Sequence, residues 1–203
     1  MPETPLVSVL MPVYNGADHL RQTLTTILEQ THAHFELLIT DDGSQDATWN
    51  ILGEFAAADR RVQLFRNEAN LGVPLTMNRL FGLARGLYLT RHDADDLSKP
   101  ERFAKQVAFL QGHPAIGVLG TQTQFIDADG QPLDVQYFPA KFTNDEIQAE
   151  LLRENCLCQG SVMFRRALLD QVGLYETGNI GSEDYDLWLR LAEVTRFAVL
   201  EEV

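Results

Sequence analysis

The sequence predicts an α/β fold in which a mostly parallel central sheet is flanked by helices. Two observations predict it: strand-like and helix-like segments alternate through the first hundred residues, and polar turns follow the strand-like segments. A βαβαβαβ order implies right-handed crossovers between parallel strands. Because ligands bind outside the carboxyl ends of the strands in such sheets, these polar turns are expected to converge on one site.

Hydrophobic spacing defines the elements of the first half. The predicted strands are residues 7–11, 35–40, 62–65 and 86–90. The predicted helices are a segment with Leu20, Leu24, Ile27 and Leu28 on one face, then residues 47–58 and 74–84. Ser44 or Asp46 is expected to cap the second helix, and Pro74 suits the first turn of the third.

The second half is less regular. We expect a helix from Pro100 to about Leu110, and extended segments at 116–121 and 161–164 around a hairpin turn at 127–130. Further helices are expected at 144–153 (capped by Asn144), at 165–172 (ended by Gly173) and after Glu183-Asp184. Because 203 residues can bury one substantial core, we predict a single domain, residues 1–203, with a smaller C-terminal lobe.

Charge, cysteine usage and hydropathy limit the partners and the compartment. The net charge of −13 argues against a nucleic-acid-binding surface, so an anionic substrate would need a local cation or local arginines. Cys156 and Cys158 are expected to be idle thiols in a reducing compartment. Residues 1–5 lack the basic start of a signal peptide, and no apolar stretch approaches the roughly 18 residues of a membrane span. We expect a cytoplasmic protein, with contact at the inner face of the membrane left open.

Asp93-Ala94-Asp95-Asp96 brings three carboxylates together directly after a predicted buried strand. Carboxylates are hard ligands that suit Mg²⁺ or Mn²⁺ when the ion also holds phosphate oxygens of a substrate. Crowded negative charge is unfavourable unless a cation or solvent relieves it. The stretch therefore predicts a metal–diphosphate site. A second Asp-x-Asp, Asp127 and Asp129, precedes Gly130 and is explained by turn chemistry.

Other polar turns have two interpretations each. Asp41-Asp42-Gly43-Ser44 alone is an ordinary strand-to-helix turn, but beside the Asp93 loop an Asp there can accept a hydrogen bond from a base or ribose hydroxyl. Tyr14 either stacks on a base or packs against the protein. Glu183-Asp184 is either an acidic helix N-terminus or a general base aimed into the crevice, and the spacing does not decide.

Taken in order along the chain, these motifs resemble those of family 2 glycosyltransferases, the inverting group with the GT-A fold. The matching segments span nearly the whole chain and are residues 7–15, 41–46, 70–72, 86–90, 93–96, 100–102, 160–166 and 183–188. The resemblance implies that residues 1–100 form a nucleotide-sugar-binding half. Residues 101–203 would form an acceptor-side half that carries the catalytic base.

The resemblance also implies which residues bind the nucleotide. Pro12 and Tyr14 would flank it, and Asp42 would bind a uracil-type base with Asp41 beside it. Asp93 would hold ribose or sugar hydroxyls. The implied donor is therefore a nucleotide-diphosphate sugar in which the sugar is linked to UDP.

The implied reaction is a single in-line displacement at the anomeric carbon, with inversion. Asp184 would take the proton from the acceptor hydroxyl, while Mn²⁺ or Mg²⁺ held by Asp95 offsets charge on the leaving diphosphate. Glu183 and Asn70 would bind the acceptor or support the site. The acceptor would be a saccharide or a lipid-linked molecule, in the synthesis of a surface polysaccharide or a glycoconjugate.

Two other functions stay open, and two departures from the family pattern stand out. A sugar-phosphate nucleotidyltransferase would have a Gly-rich, basic loop after the first strand, which this chain lacks. Intact Asp95 and Asp184 argue against a non-catalytic nucleotide-sugar-binding domain, but the sequence does not dismiss it. Met77 and Arg79 flank Asn78, where the family often has Arg before Asn, which puts the diphosphate-contacting Arg in question. The chain ends at Val203, before the Tyr-Arg and His-bearing segment usual in the family, so we expect it to be truncated and weakly active.

Overall fold

The computed structural model describes residues 5–127, 130–135, 143–178 and 181–201. Within these ranges a seven-stranded sheet has the order β3-β2-β1-β4-β6-β5-β7. The strands are β1 Val7–Val13, β2 Phe35–Asp41, β3 Val62–Arg66, β4 Tyr88–Arg91, β5 Ile116–Thr121, β6 Met163–Arg165 and β7 Arg196–Leu200. The helices are α1 Leu20–Leu28, α2 Thr48–Ala58, α3 Val73–Leu83, α4 Arg102–Gly112, α5 Asn144–Leu151, α6 Leu169–Val172 and α7 Glu183–Ala192. Short 3₁₀ helices cover Gln159–Ser161 and Arg166–Leu168.

The sheet confirms the predicted α/β class. Strands β1 to β4 are mutually parallel, with Val13 opposite Asp41 and Leu10 opposite Arg91. β6 runs antiparallel to β4 and β5, and β5 pairs in parallel with β7. The mostly parallel pairing brings the carboxyl ends of β1, β2 and β4 to one edge.

The central strands are buried on both sides, because helices cover both faces of the sheet. In β1, Leu10 contributes to one hydrophobic cluster, while its neighbours Val9 and Met11 contribute to the other. Successive side chains of a strand point to opposite faces, so a strand covered on both faces is apolar throughout. Trp188 of α7 and Phe103 of α4 are fully buried in opposite clusters.

The caps of α2 and α5 agree only in part with the prediction. The N-cap position of α2 is Ala47, but the carboxylate of the adjacent Asp46, one of the two predicted residues, accepts from the Thr48 amide (3.0 Å). The other, Ser44, accepts through its hydroxyl from the amide of Asn15 (2.9 Å) and does not cap α2. The cap of α5 is Thr143, which forms a capping box with Glu146. The expected cap, Asn144, instead accepts from the Phe197 amide, because its side chain faces β7.

Several boundaries in the second half also differ. Residues 159–161 form a 3₁₀ turn before β6, and 165–172 divides into a 3₁₀ helix and the short α6, which Gly173 ends at φ 80°. Glu183 and Asp184 lie inside the first turn of α7 rather than before it. β7 was not predicted. Asp127 accepts from the Gln131 amide (2.8 Å) in the expected turn, and Asp129 lies outside the described residues.

Candidate functional site

The loops that follow β1, β2 and β4 meet at the carboxyl edge of the sheet, as the topology predicted. The Asp42 amide donates to the Val13 carbonyl (2.7 Å), and the His92 amide donates to the Leu10 carbonyl (3.0 Å). The loops touch as well, since a Cβ atom at Gly16 would lie 3.3 Å from the Cβ of Ala94. Carboxylates that are distant in sequence therefore share one crevice.

The loop after β1 is fixed by the loop after β2. Asn15 adopts a positive φ of 50°, its amide donates to the Ser44 hydroxyl (2.9 Å), and its side-chain oxygen accepts from the Gln45 amide (2.9 Å). Pro12 lies near the end of β1, and Tyr14 follows with 47% of its surface exposed. The structure thus holds the Tyr14 ring on an anchored loop and leaves it accessible.

Asp42 is buried and organises the loop before α3. Its carboxylate accepts hydrogen bonds from the Asn67 side chain (2.7 Å) and from the amides of Leu71 (3.0 Å) and Gly72 (2.9 Å). Asn70 is exposed, and its side-chain oxygen accepts from the same Gly72 amide (2.9 Å). Asp42 therefore shapes the crevice, and its contact with a base stays a prediction.

Asp41 is fully buried at the end of β2. One carboxylate oxygen accepts from the Ser44 amide (3.0 Å), and the other forms an ion pair with Nε of Arg66 (3.1 Å). The Arg66 guanidinium lies 4.8 Å from the ring centre of Trp49. Asp41 is thus tied to the turn and to β3, and a direct role in nucleotide binding stays a prediction.

The carboxylate loop after β4 places its three acids in different surroundings. Asp93 is half-buried and paired with Nε of Arg91 (2.8 Å), whereas Asp95 is exposed and its carboxylate has no hydrogen-bond or ion-pair partner among the described residues. Asp96 is exposed as a whole residue, but its carboxyl lies against Gly160. Burial of that group, together with the charges of Asp93 and Asp95, raises the pKa of Asp96 to about 6.

The base of this loop is rigid. His92 is buried and hydrogen-bonds to the Ser98 hydroxyl (2.9 Å), and burial together with the nearby Arg102 lowers the pKa of His92 to about 3. Arg102 donates to Ser98, to the Gly160 carbonyl and to the Thr90 hydroxyl at 2.7–3.0 Å. A neutral His92 and a buried Arg102 therefore fix the segment from which Asp95 projects.

The donor atoms of the loop fit a divalent metal that is completed by a substrate. Among the residues described, no three His, Cys, Asp or Glu side chains are arranged to hold an ion. Mg²⁺ is commonly bound through one or two carboxylates plus substrate phosphates and water. The unpartnered carboxylate of Asp95, beside Asp93 and Asp96, has the charge and exposure for that mode of binding.

The α7 end of the crevice carries the other acidic pair. Asp184 is half-buried, and one of its oxygens accepts from the Asn155 side chain (3.0 Å). Glu183 is buried, accepting from the Gly181 amide (2.9 Å) and lying 3.4 Å from Nη1 of Arg91. The sequence analysis missed Asn155, whose partner is 29 residues away and leaves no local pattern.

Helix α3 departs from the family pattern at the residues that flank Asn78. Met77 is fully buried in the core. Asn78 instead exchanges hydrogen bonds with the backbone of Tyr175 (2.8 and 2.9 Å). Arg79 donates to the Asn67 side chain (2.7 Å), which in turn holds Asp42. Arg79 thus supports the crevice from behind.

A cavity at the amino edge of the sheet carries charges that are already paired. It has a volume of about 450 Å³, and its lining includes the ion pairs Arg61–Asp59 and Arg85–Glu36.

In the described ranges, none of the helices is both long enough and apolar enough to pass through a bilayer.

A mostly parallel sheet with clustered carboxylates beyond its strand ends defines the protein as an α/β protein with a GT-A-type fold. The solved structure of S. aureus TarS 1–349 superposes with a TM-score of 0.78 at 22% identity, over 97% of this chain and 58% of that one. The mannosyltransferase PcManGT from Pyrobaculum calidifontis, in complex with GDP-Man and Mn²⁺, gives a TM-score of 0.74 at 20% identity, over 98% and 57%.

The sequence comparisons identify the family. The profile of Glycosyl transferase family 2 matches residues 8–173. The uncharacterized glycosyltransferase MJ1057 of Methanocaldococcus jannaschii is 32% identical over 203 residues, covering 98% of this chain and 69% of that protein. This chain belongs to glycosyltransferase family 2. It spans about two thirds of MJ1057 and less than two thirds of the two solved structures.

Proposed function

We propose that this chain transfers a sugar from a nucleotide-diphosphate sugar, with UDP as the favoured nucleotide, to an acceptor hydroxyl with inversion. One observation carries the proposal: the Arg91 guanidinium lies between the Asp93 loop and the first turn of α7. A metal–diphosphate loop and a candidate base are therefore within the span of one side chain. The acceptor would be a saccharide or a lipid-linked molecule in polysaccharide or glycoconjugate synthesis, and a lipid-linked acceptor would place the protein at the inner face of the membrane.

The donor side of the proposal is supported by exposure and by comparison. Tyr14 offers an accessible ring beside β1, and Asp42 shapes the loop before α3, so a base would stack on the ring beside that loop. Asp93 would hold ribose or sugar hydroxyls. Structures of TarS 1–349 contain UDP and UDP-GlcNAc, and the PcManGT structure contains GDP-Man. These ligands support a nucleotide-sugar donor and leave its base to experiment.

Asp95 would hold Mn²⁺ or Mg²⁺. When bound, the ion would supply positive charge to the diphosphate as it leaves. The chain itself supplies little of that charge, since Arg79 is engaged with Asn67 and Arg66 with Asp41. A cation that arrives with the donor would therefore supply the positive charge that a crevice rich in carboxylates lacks.

Asp184 would act as the general base. It would take the proton from the acceptor hydroxyl as that oxygen bonds to the anomeric carbon and the bond to the diphosphate oxygen breaks. Attack from the face opposite the leaving group inverts the configuration. Hydrogen bonds from the Asn155 side chain to Oδ2 and from the Tyr185 amide to Oδ1 would orient the carboxylate, and the remaining lone pair of each oxygen would serve the acceptor.

A binding screen tests the proposal. Calorimetry with UDP-linked and GDP-linked sugars, each with and without Mn²⁺, should show metal-dependent binding of at least one donor. Transfer from that donor to saccharide and lipid-linked acceptors should then release the nucleoside diphosphate. Absence of metal-dependent binding across the panel would contradict the proposal, and binding without transfer by this chain and by a longer one would favour a non-catalytic binding domain.

A further inference from the structure

Arg91 is the last residue of β4, and its side chain is only 12% exposed. Nε pairs with Asp93 at 2.8 Å, and Nη1 pairs with Glu183 at 3.4 Å. The buried Tyr175 side chain lies beside the guanidinium. Burial opposes the charge, but the Asp93 carboxylate outweighs it, so the pKa of Arg91 is raised above its usual value. Arg91 therefore remains a cation that is ion-paired with two segments of the chain and lies beside a third.

Tyr175, the third neighbour of Arg91, is held in place by its own contacts. Tyr175 is buried, its backbone is held by Asn78 of α3, and its hydroxyl accepts from the Gln159 side chain (2.8 Å). Its ring packs edge-on against Phe81, with 5.3 Å between the ring centres. Tyr175 is therefore held in place by α3 and by Gln159, and the guanidinium packs beside a fixed neighbour. The two carboxylates are located relative to the guanidinium.

Repulsion among the acidic side chains of the crevice favours a cation at the position of Arg91. Asp93, Asp95 and Asp96 lie on one side of the crevice, and Glu183 and Asp184 on the other, in a chain whose net charge is −13. Like charges at these separations repel across a partly buried space. A cation between the two groups of acids holds the segments at short distance before any metal or donor arrives.

From this geometry we infer that Arg91 is a positioning residue, which sets the distance between the donor-binding loop and the helix that carries the base. The inference rests on the proposed function for its catalytic meaning. Asp184 follows Glu183 on α7, so the ion pair at Glu183 fixes the helix turn that presents Asp184. Arg91 itself does not touch reacting atoms in this account. Its effect on turnover passes through Asp93 and Glu183.

The test compares Arg91→Met, Arg91→Lys and Glu183→Gln with a matched control, Arg85→Met. Arg85 pairs with the buried Glu36 at the opposite edge of the sheet (2.6 Å), so its loss breaks a short ion pair away from the crevice. For Arg91→Met we expect kcat to fall about 100-fold, with Mn²⁺–UDP affinity within about 3-fold, because misplacement by about 1 Å costs on that order in rate. Arg91→Lys should recover part of the rate, since an ammonium can serve one carboxylate but not both.

Coupling separates positioning from general loss of stability. If Arg91 acts through Glu183, the double variant Arg91→Met/Glu183→Gln should transfer sugar no more slowly than Arg91→Met alone. Additive losses, or a kcat of Arg91→Met within about 3-fold of wild type, would overturn the inference.

A readout without substrate keeps this test distinct from that of the proposed function. Hydrogen exchange of peptides covering residues 88–97 and 183–192 should accelerate in Arg91→Met and not in Arg85→Met. Unchanged exchange in Arg91→Met would also overturn the inference. If wild type binds no nucleotide sugar while exchange responds as expected, the proposed function fails and the coupling of the two segments stands.

Discussion

Arg85 and Arg91 lie near the two ends of β4 and pair with acids at opposite edges of the same sheet. At the amino edge, Glu36 is 3% exposed and accepts hydrogen bonds from Ser8, Gln63 and Arg85. At the carboxyl edge, the side chain of Asp93 remains 34% exposed and has Arg91 as its partner. The same ion-pair chemistry thus gives a carboxylate whose hydrogen-bonding capacity is used up at the amino edge, and carboxylates that can accept further hydrogen bonds at the carboxyl edge. Spare capacity, rather than the presence of charge, distinguishes the candidate site.

The largest expected effect comes from the end of the crevice that is proposed to carry the base. Asp184→Asn removes the proposed proton acceptor while keeping a side chain that Asn155 can orient, so kcat should fall by about 10²–10⁴-fold. Donor binding measured by calorimetry should stay within about 3-fold of wild type. Transfer at the normal rate would show that Asp184 is not the base.

The next effect concerns the metal. Asp95→Asn should weaken Mn²⁺-dependent nucleotide binding by about 100-fold or more, because even partners outside the ligand shell are worth 10–100-fold in metal affinity. Asp127→Asn is the matched control, since Asp127 belongs to the second Asp-x-Asp and accepts from the Gln131 amide in a turn. Equal losses in titrations of both variants would remove the distinction between the two motifs.

The amino edge should respond in stability alone. Arg85→Met leaves the Glu36 carboxylate with fewer donors, but Arg85 is 70% exposed, so solvent screening limits the loss to about 1–2 kcal/mol of unfolding free energy. Denaturant unfolding measures that loss, and kcat should not change. A drop in kcat with unchanged stability would reverse the roles assigned to the two edges.

The smallest effect is a pH dependence of the amino edge. Burial opposes ionisation of Glu36, yet hydrogen bonds from Ser8 and Arg85 outweigh it and lower the pKa of Glu36 below its ordinary 4.5. The ionised form therefore stabilises the fold above about pH 4.5, and this contribution is lost as the pH falls through the lowered pKa. Unfolding of wild type and Glu36→Gln at pH 7 and at pH 3 should show a smaller difference at pH 3. A constant difference would mean that Glu36 contributes by shape rather than by charge.

The sequence allowed good prediction of the first half, because strands buried on both faces have apolar runs that local spacing reveals. Residues 116–121 were predicted with the observed bounds of β5, while β7 was missed. The carboxylates were found because they follow strands directly. Arg91 had a signal that was not used: an ionisable residue at the end of a buried strand needs partners. Asn155 had none, since its contact with Asp184 joins the loop after α5 to α7 and exists only in the folded chain.

The anchored loop after β1 has a consequence for redesign. Asn15 and the segment at Ser44 and Gln45 exchange hydrogen bonds, so the loop that presents Tyr14 and the loop that contains Asp42 are one cassette. Transplanting either loop alone from a relative would leave a backbone amide on each side without its acceptor. Under the proposed roles of Tyr14 and Asp42, an exchange of base preference would therefore require that both loops be grafted together, with their mutual contacts kept.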